Sequence, residues 1–571
     1  MLTTEASTLV RWPGLRVILG CSSAAAAAVA IDTYFSVQDG YLSQPPNYEG
    51  IGYLQFARTA YLLLRHFHVR AAIHALDSIA PLWTVLQTLQ YFIVGDGTWQ
   101  AFTVRSWPVA LLFILVYWIV RARATRAMAI AAVALTALLP MVSASVRSSS
   151  WELLSGRANF PEDFGLDDLR PDFLAAVLIL WSVASLAEHQ RAPRRSAYLL
   201  SAAFAAVAVL TKPSTAPFNL AAWAMALGLM WLWRRNAVTL RMTALAVGFL
   251  VLLLIPWAIF GGGLVATISR DFEAAVTYRT AYAGGLSIPE RLTYYVVRLP
   301  NQLGQVEVAF VVIGSLFLAL MLLRRRLDRA EGMYAALVVF FYVVFTLPAN
   351  NDPNIGEWMS LSVWVFFLAG ASRLLAARWP ERVERASPLL LAAVGLYVLL
   401  AYTLGMIGLA NWPLREQRAN AQLRTVHAEV AQELGRHISA GDCFTYAPGP
   451  GWPASIEYQL MDSNGAAPFN SPIDVDPATT SIAGYLLEAK RCRAVIVYRE
   501  DISQVAQVFF TPPVRQPYLR ALAQAVRIPG NGYALDRTWM LYDLPPIGPH
   551  PLGRYQGVSL TVDLYVRVAG A

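Results

Sequence analysis

The chain has 571 residues, 56% of them hydrophobic and 14% charged, and its mean hydropathy is +0.45. A soluble globular protein of this length has no use for so much apolar surface, so the composition excludes the ordinary soluble classes. The net charge of +8 does not indicate nucleic acid either, because the basic residues form no single patch and fall in short clusters between apolar runs.

Runs of about 20 apolar residues, enough to cross ~30 Å of hydrocarbon, recur along the chain. They lie near 14–34, 103–120, 127–146, 172–187, 196–212, 214–233, 240–260, 307–323, 332–348, 359–377 and 387–409, about eleven spans. The stretch Ile18-Leu19-Gly20-Cys21 faintly resembles a lipoprotein processing site. The apolar segment before Cys21 is too short for that and is broken by Arg16, so an uncleaved first span is expected.

The loop after the first span, 35–102, carries Asp39 and Glu49 near the rim of the hydrocarbon. Within it, 51–65 and 81–94 are apolar but short, and are expected to lie flat on the membrane as interfacial helices. Counting 81–94 as a span would invert every later loop. His66, His68 and His74 have a spacing that could suit a metal, but an amphipathic interfacial segment explains them more cheaply.

The arginines order the rest. Arg121, Arg123 and Arg126 follow the second span, Arg191, Arg194 and Arg195 the fourth, and Arg234, Arg235 and Arg241 the sixth. Arg324, Arg325, Arg326 and Arg329 follow the eighth, and Arg378, Arg382 and Arg385 the tenth. All fall on one side together with Arg11 and Arg16, which predicts a cytoplasmic N-terminus and an extracytoplasmic C-terminus. The opposite connections, 35–102, 147–171, 261–306 and 349–358, are mostly long and mix carboxylates with arginines. Loops of that kind on one face are where a site is built.

From residue 411 onward no spanning segment occurs. Two domains are therefore expected: a transmembrane unit over 1–410 and an extracytoplasmic α/β unit over 411–571. In the second, CFTYAP, RAVIVY, TWMLYDL and VSLTVDLYVRV read as strands, with helical segments at 501–511 and 516–526. Cys443 and Cys492 both lie there, each near the start of a strand, and an oxidising compartment would permit a bridge between them.

No Walker loop, GxGxxG, HExxH or paired CxxC is present. What remains is a carboxylate at the membrane rim, cationic side chains on the same face and a greasy entrance. That chemistry suits a lipid-linked sugar phosphate. The polyprenyl tail stays in lipid, an arginine or lysine neutralises the leaving phosphate, and a carboxylate takes the proton of the attacking hydroxyl.

Several segments resemble GT-C-type polyprenyl-phosphate-sugar glycosyltransferases, which include the protein O-mannosyltransferases and the lipid A aminoarabinose transferases. NYEGIGYLQFAR is similar to their first loop, PLWTVLQTLQYFIVGDGTWQAFTVRSWP to their flat helix followed by a span, LRPDFLAAVLILW to their Arg-Pro-Asp span, and LTKPSTAPF to their Leu-Ala-Lys-Pro-Thr. The resemblance covers about residues 14–260. Ala80-Pro81-Leu82 stands where the family has Pro-Pro-Leu, and the second loop is longer than usual.

The resemblance implies an inverting transfer of sugar from a polyprenyl-phosphate carrier to an extracytoplasmic glycan, lipid or protein, with a first-loop acid as general base. Asp39 follows the first span as the family's catalytic acid does, while Glu49 sits in the better-matching motif; both remain candidates. Lys212 and Arg170, at the ends of spans, would meet the donor phosphate, as would Arg270 and Arg279. Asp172, costly if unpaired in a span, would orient Arg170 or Lys212. Asp168, Asn351 and Asp352 are candidates for contact with substrate. Some relatives use a divalent cation, Mg or Mn, but nothing in this sequence demands a metal. The competing class, a transporter or flippase of lipid-linked glycans, would carry charges in mid-span, whereas these spans read as nearly charge-free.

Overall fold

The computed structural model describes residues 12–38, 49–76, 80–144, 146–147, 169–190, 194–260, 287–323, 328–346, 356–378, 380–410, 429–446, 453–462, 466–467, 469–470, 481–498, 516–544 and 558–568. Helix α1 (Leu15–Gln38) leads to four short helices, α2 (Glu49–Arg65), α3 (Val69–Leu76), α4 (Pro81–Val94) and α5 (Thr98–Phe102). Then come α6 (Ser106–Arg121), α7 (Arg126–Ala137), α8 (Asp172–Ala187), α9 (Arg195–Thr211), α10 (Ala216–Arg234) and α11 (Ala237–Phe260). The helical part closes with α12 (Ile288–Leu303), α13 (Gln305–Leu323), α14 (Arg329–Thr346), α15 (Gly356–Arg378) and α16 (Pro380–Ala410).

Among the described residues, 7 helices are long and apolar enough to cross a membrane. Shorter apolar helices run over Arg126–Ala137, Asp172–Ala187, Arg195–Thr211 and Gln305–Leu316. Together they coincide with the spans read from the sequence. The protein is a polytopic α-helical membrane protein with a C-terminal α/β sheet unit. Helix α8 is the axis of the bundle: all of its 16 residues are buried, as expected of a helix that is apolar all round. Helix α1 meets α6 through small residues at a spacing of four, Cys21, Ala25 and Val29, which lets the backbones approach.

The two ends of the bundle differ. At one, Arg123 bridges Glu188 (2.8 Å) and Glu331 (2.9 Å), and Arg373 bridges Asp328 (2.6 Å) and Glu331 (3.1 Å). Gln190 donates to Asp328 at 3.0 Å, and Arg234 donates to the Gln190 carbonyl. Arginines that the sequence assigns to one side thus gather at one end, where Trp12 stacks on Trp118 and His189. Burial opposes ionisation of Asp328, but hydrogen bonds from Arg373 and Gln190 hold its carboxyl well below the usual range.

The other end holds the short helices. Helices α2 and α4 occupy the two stretches expected to be interfacial. Helix α12 was not foreseen in the loop 261–306. Its start is a capping box, Ser287 with Glu290. Ile288, Leu292 and Val296, one turn apart, are exposed, the face of a helix lying in a membrane interface.

The C-terminal part forms a five-stranded sheet in the order β2-β1-β3-β5-β4. Its elements are β1 (Cys443–Tyr446), α17 (Pro453–Leu460), β2 (Phe469–Asn470), α18 (Ile482–Ala489), β3 (Ala494–Tyr498), α19 (Gln516–Ala525), β4 (Tyr533–Leu544) and β5 (Val558–Arg567). Strand β1 is parallel to β2 and β3, while β5 runs antiparallel to β3 and β4. Alternation along β3 covers both faces: Ala494 and Ile496 pack with Leu434 and Ile456, and Val495 and Val497 with Tyr485 and Leu522. The four strands read from the sequence are all present; of the two helical segments, 516–526 corresponds to α19 and 501–511 lies outside the described residues. Cys443 and Cys492 are joined by a disulfide, their Cα atoms 4.6 Å apart.

Candidate active site

At the end of the bundle that carries the short helices, two chain segments converge. The first is Leu169-Arg170-Pro171-Asp172. Leu169 takes a left-handed backbone conformation, φ 58°, and its carbonyl accepts a 2.7 Å hydrogen bond from Trp83 Nε1 on α4. The turn delivers Arg170, which is buried, and Asp172, the first residue of α8. A carboxylate at a helix N-terminus is favoured by the unpaired N–H groups there.

The second segment is Thr211-Lys212-Pro213. Proline disfavours the helical region for the residue before it, and Lys212 is extended, φ −146° and ψ 90°, so α9 ends there. The side chain then turns to Asp172: Lys212 Nζ donates to Oδ1 at 2.6 Å and to Oδ2 at 2.5 Å. Side-chain exposure is 14% for the lysine and 3% for the aspartate. A buried pair of this kind costs desolvation on both partners and persists because each neutralises the other.

The loop backbone is held as well. Thr215 Oγ1 donates to the Lys212 carbonyl at 2.9 Å, Asn219 Nδ2 to Thr215 Oγ1 at 3.1 Å, and Trp358 Nε1 to Asn219 Oδ1 at 3.0 Å. Asn219 and Trp358 are both buried. The chain of bonds ties Lys212 to the start of α15, the segment that follows Asn351 and Asp352 in sequence.

Of the residues singled out from the sequence, Lys212 and Asp172 therefore pair, and Arg170 is buried in the turn two residues before Asp172. Glu49 opens α2. Four residues on, Tyr53, then Leu54 and Ala57, pack in one buried cluster with Trp83, Leu169, Leu174 and Ala208. The start of α2 thus shares its core with the residues flanking the Lys212–Asp172 pair. Asp39, Asp168, Arg270, Arg279, Asn351 and Asp352 lie outside the described residues.

The reading of the spans as nearly charge-free needs correction. Asp32 in α1 and Arg105, just before α6, are both almost fully buried and form a 3.0 Å ion pair. Arg105 also donates to Thr33 Oγ1 (2.8 Å) and the Phe102 carbonyl (3.0 Å), and Val146 N–H reaches Asp32 at 3.4 Å. A lone carboxylate in an apolar run signals a partner. Asp32 carries that signal, and its partner Arg105 lies 73 residues away. Arg147, Glu307 and Tyr397 form a second such group, with Arg147–Glu307 at 3.1 Å and Tyr397–Glu307 at 2.9 Å.

Asp172 gives both oxygens to Lys212. Among the described residues, the three-residue group spaced for a cation is Glu433, His437 and Asp536 in the C-terminal unit. There Arg436 and Arg537 each approach Glu433 to 3.0 Å, so that carboxylate is already neutralised.

No protein-family model matches the chain, and no curated protein sequence does. Among solved structures, the crystal structure of ArnT from Cupriavidus metallidurans bound to undecaprenyl phosphate superimposes with a TM-score of 0.52. The match covers 85% of this chain and 93% of that one at 14% identity. The chain folds like ArnT. The apo structure of the same protein matches 95% of this chain and 98% of its own, also at 14% identity, with a TM-score of 0.49. This likeness to ArnT is one of architecture, and it agrees with the GT-C resemblance carried by the sequence motifs.

Proposed function

We propose that this protein is a membrane glycosyltransferase that moves a sugar from a polyprenyl-phosphate carrier to an extracytoplasmic acceptor: a glycan, a lipid or a protein. The observation that carries the reading is the buried Lys212–Asp172 pair beside Arg170, set in a bundle that folds like a protein crystallised with undecaprenyl phosphate. The Lys212 ammonium brings the positive charge and N–H donors that suit a phosphate oxygen. Arg170 supplies a planar fork of donors suited to the same group. Together they neutralise the charge that grows on the leaving phosphate as the glycosidic bond breaks. The carboxylate of Asp39 or Glu49 takes the proton from the acceptor hydroxyl.

The arginine-rich end is assigned to the cytosol by the positive-inside rule, which sets the Lys212 end and the C-terminal unit outside. Residues 1–410 form the catalytic membrane unit and 411–571 the extracytoplasmic one in this reading.

The test is a transfer assay on purified protein in nanodiscs, with polyprenyl-phosphate-linked sugars as donors and envelope extract as acceptor. Replacing the true base, Asp39→Asn or Glu49→Gln, lowers turnover by ~10²–10⁴ and leaves binding of undecaprenyl phosphate intact. Full activity in both variants rejects a first-loop base. Movement of labelled lipid across liposomes without a new glycosidic bond rejects the transferase and supports a flippase.

A further inference from the structure

The C-terminal unit touches the membrane bundle through α17, and the contact centres on one arginine. Arg58, in the middle of α2, donates through Nε to Asp96 at 3.0 Å and through Nη1 to the Tyr458 carbonyl. Its guanidinium lies over the Tyr458 ring, 4.7 Å from the centroid, a stacked geometry that arginine favours. Tyr458 is almost fully buried. Its hydroxyl donates to the Asp96 carbonyl at 3.0 Å and meets the Tyr91 hydroxyl at 3.3 Å. Gln55, one turn before Arg58, donates to Glu457 at 2.8 Å. One tyrosine of the C-terminal unit is thus wedged among α2, α4 and the turn before α5.

The same helix also packs toward the site, in a buried cluster that includes Tyr458. Tyr53, Leu54 and Ala57 pack with Leu169, Leu174 and Ala208, which flank Arg170, Asp172 and Lys212. Helix α2 is therefore held between the C-terminal unit and α4, whose Thr88 donates to the Ala57 carbonyl and whose Trp83 donates to the Leu169 carbonyl, and Glu49 stands about 13 Å along it from Arg58 at 1.5 Å per residue. Seventeen-residue helices are marginal alone, so its position is set by what grips it. We propose that the C-terminal unit is a clamp: Tyr458, closed on Arg58 and Asp96, fixes α2, the helix that Glu49 opens, against α4 and the Leu169 turn that leads into the phosphate-binding segments. The purpose of the clamp rests on the function proposed above; the clamp itself does not.

Two readouts separate them. Hydrogen–deuterium exchange of the full chain in detergent reports the grip on residues 49–58. Arg58→Ala removes the charge-assisted bond to Asp96, and Tyr458→Ala removes the ring beneath Arg58 together with the hydroxyl bonds to the Asp96 carbonyl and Tyr91; in each, exchange there is expected to rise about tenfold while α8 and α9 stay protected. Tyr458→Phe keeps the ring beneath Arg58 and loses only the hydroxyl bonds, so it gives an intermediate rise. Gln55→Ala provides a milder variant should the alanine changes prevent folding. Unchanged exchange at 49–58 in folded Tyr458→Ala and Gln55→Ala overturns the clamp. Binding of undecaprenyl phosphate, measured on the same samples, is expected to weaken in step with the loosening of α2. Loosened α2 with undiminished binding overturns the role of the clamp at the site. Wild-type protein that binds no undecaprenyl phosphate overturns the proposed function, and the exchange data then decide the clamp by themselves.

Discussion

Lys212 and Asp172 show what a single side chain can and cannot announce. Each is charged and stands at the end of an apolar run, in a segment that resembles a GT-C motif, and each is legible as a site candidate for that reason. Their meeting is legible only as one of two alternatives, Asp172 with Arg170 or with Lys212, and the structure shows the pair with Lys212, 40 residues away. Removing one partner of a buried pair leaves the other charged and alone, a loss of ~3–5 kcal/mol. Asp172→Leu is therefore expected to lower the melting temperature sharply, and Lys212→Met/Asp172→Leu to recover most of that loss, read by thermal unfolding in detergent. The double variant stays inactive in the transfer assay, because the cation that meets the phosphate is gone. A double variant as unstable as the single would show that the pair is not a coupled unit. Asn219 and Trp358, which hold the Lys212 loop, gave no sequence signal: an amide and an indole inside apolar helices look like ordinary packing.

At the scale of elements, helices and strands followed their periods. Strand β3 reads AVIVY and is buried on both faces, whereas β2 has only 2 residues, too few for alternation to register. Helix α12 leaves a sequence signal, since Ser287-Ile288-Pro289-Glu290 is a capping box with proline inside the start, but its 16 residues fall short of a span. The turn before β1 carries a pH dependence. The Ser439 backbone N–H, aided by its hydroxyl and by Arg493, holds the Asp442 carboxyl below its ordinary value. A depressed folded-state pKa adds stability that is complete above the unfolded value, about 3.9, and is lost as pH falls through the folded one. Between pH 5 and pH 2 the melting temperature of wild-type protein should fall more steeply than that of Asp442→Asn. Parallel curves would remove Asp442 from the acid transition.

For the molecule as a whole, the orientation proposed here is open to direct labelling. Asn236 lies at the arginine-rich end and Leu487 on the surface of the C-terminal unit, both exposed. The native cysteines do not interfere, since Cys21 is buried and the other two are bridged. An impermeant maleimide should label Leu487→Cys in intact cells and Asn236→Cys only after lysis. The reverse pattern would invert the topology and place the Lys212 end in the cytosol.

The sequence by itself determined the lengths of the apolar helices, the gathering of arginines at alternate connections and the strands of the C-terminal sheet. Each of these depends on neighbours a few residues apart, where period and composition act directly. Only the tertiary structure decided which cation faces which carboxylate. Asp32 with Arg105, Lys212 with Asp172, and Arg58 with a tyrosine 400 residues further on are pairings across closed loops. Their geometry is set by how whole helices pack, and no local pattern encodes it.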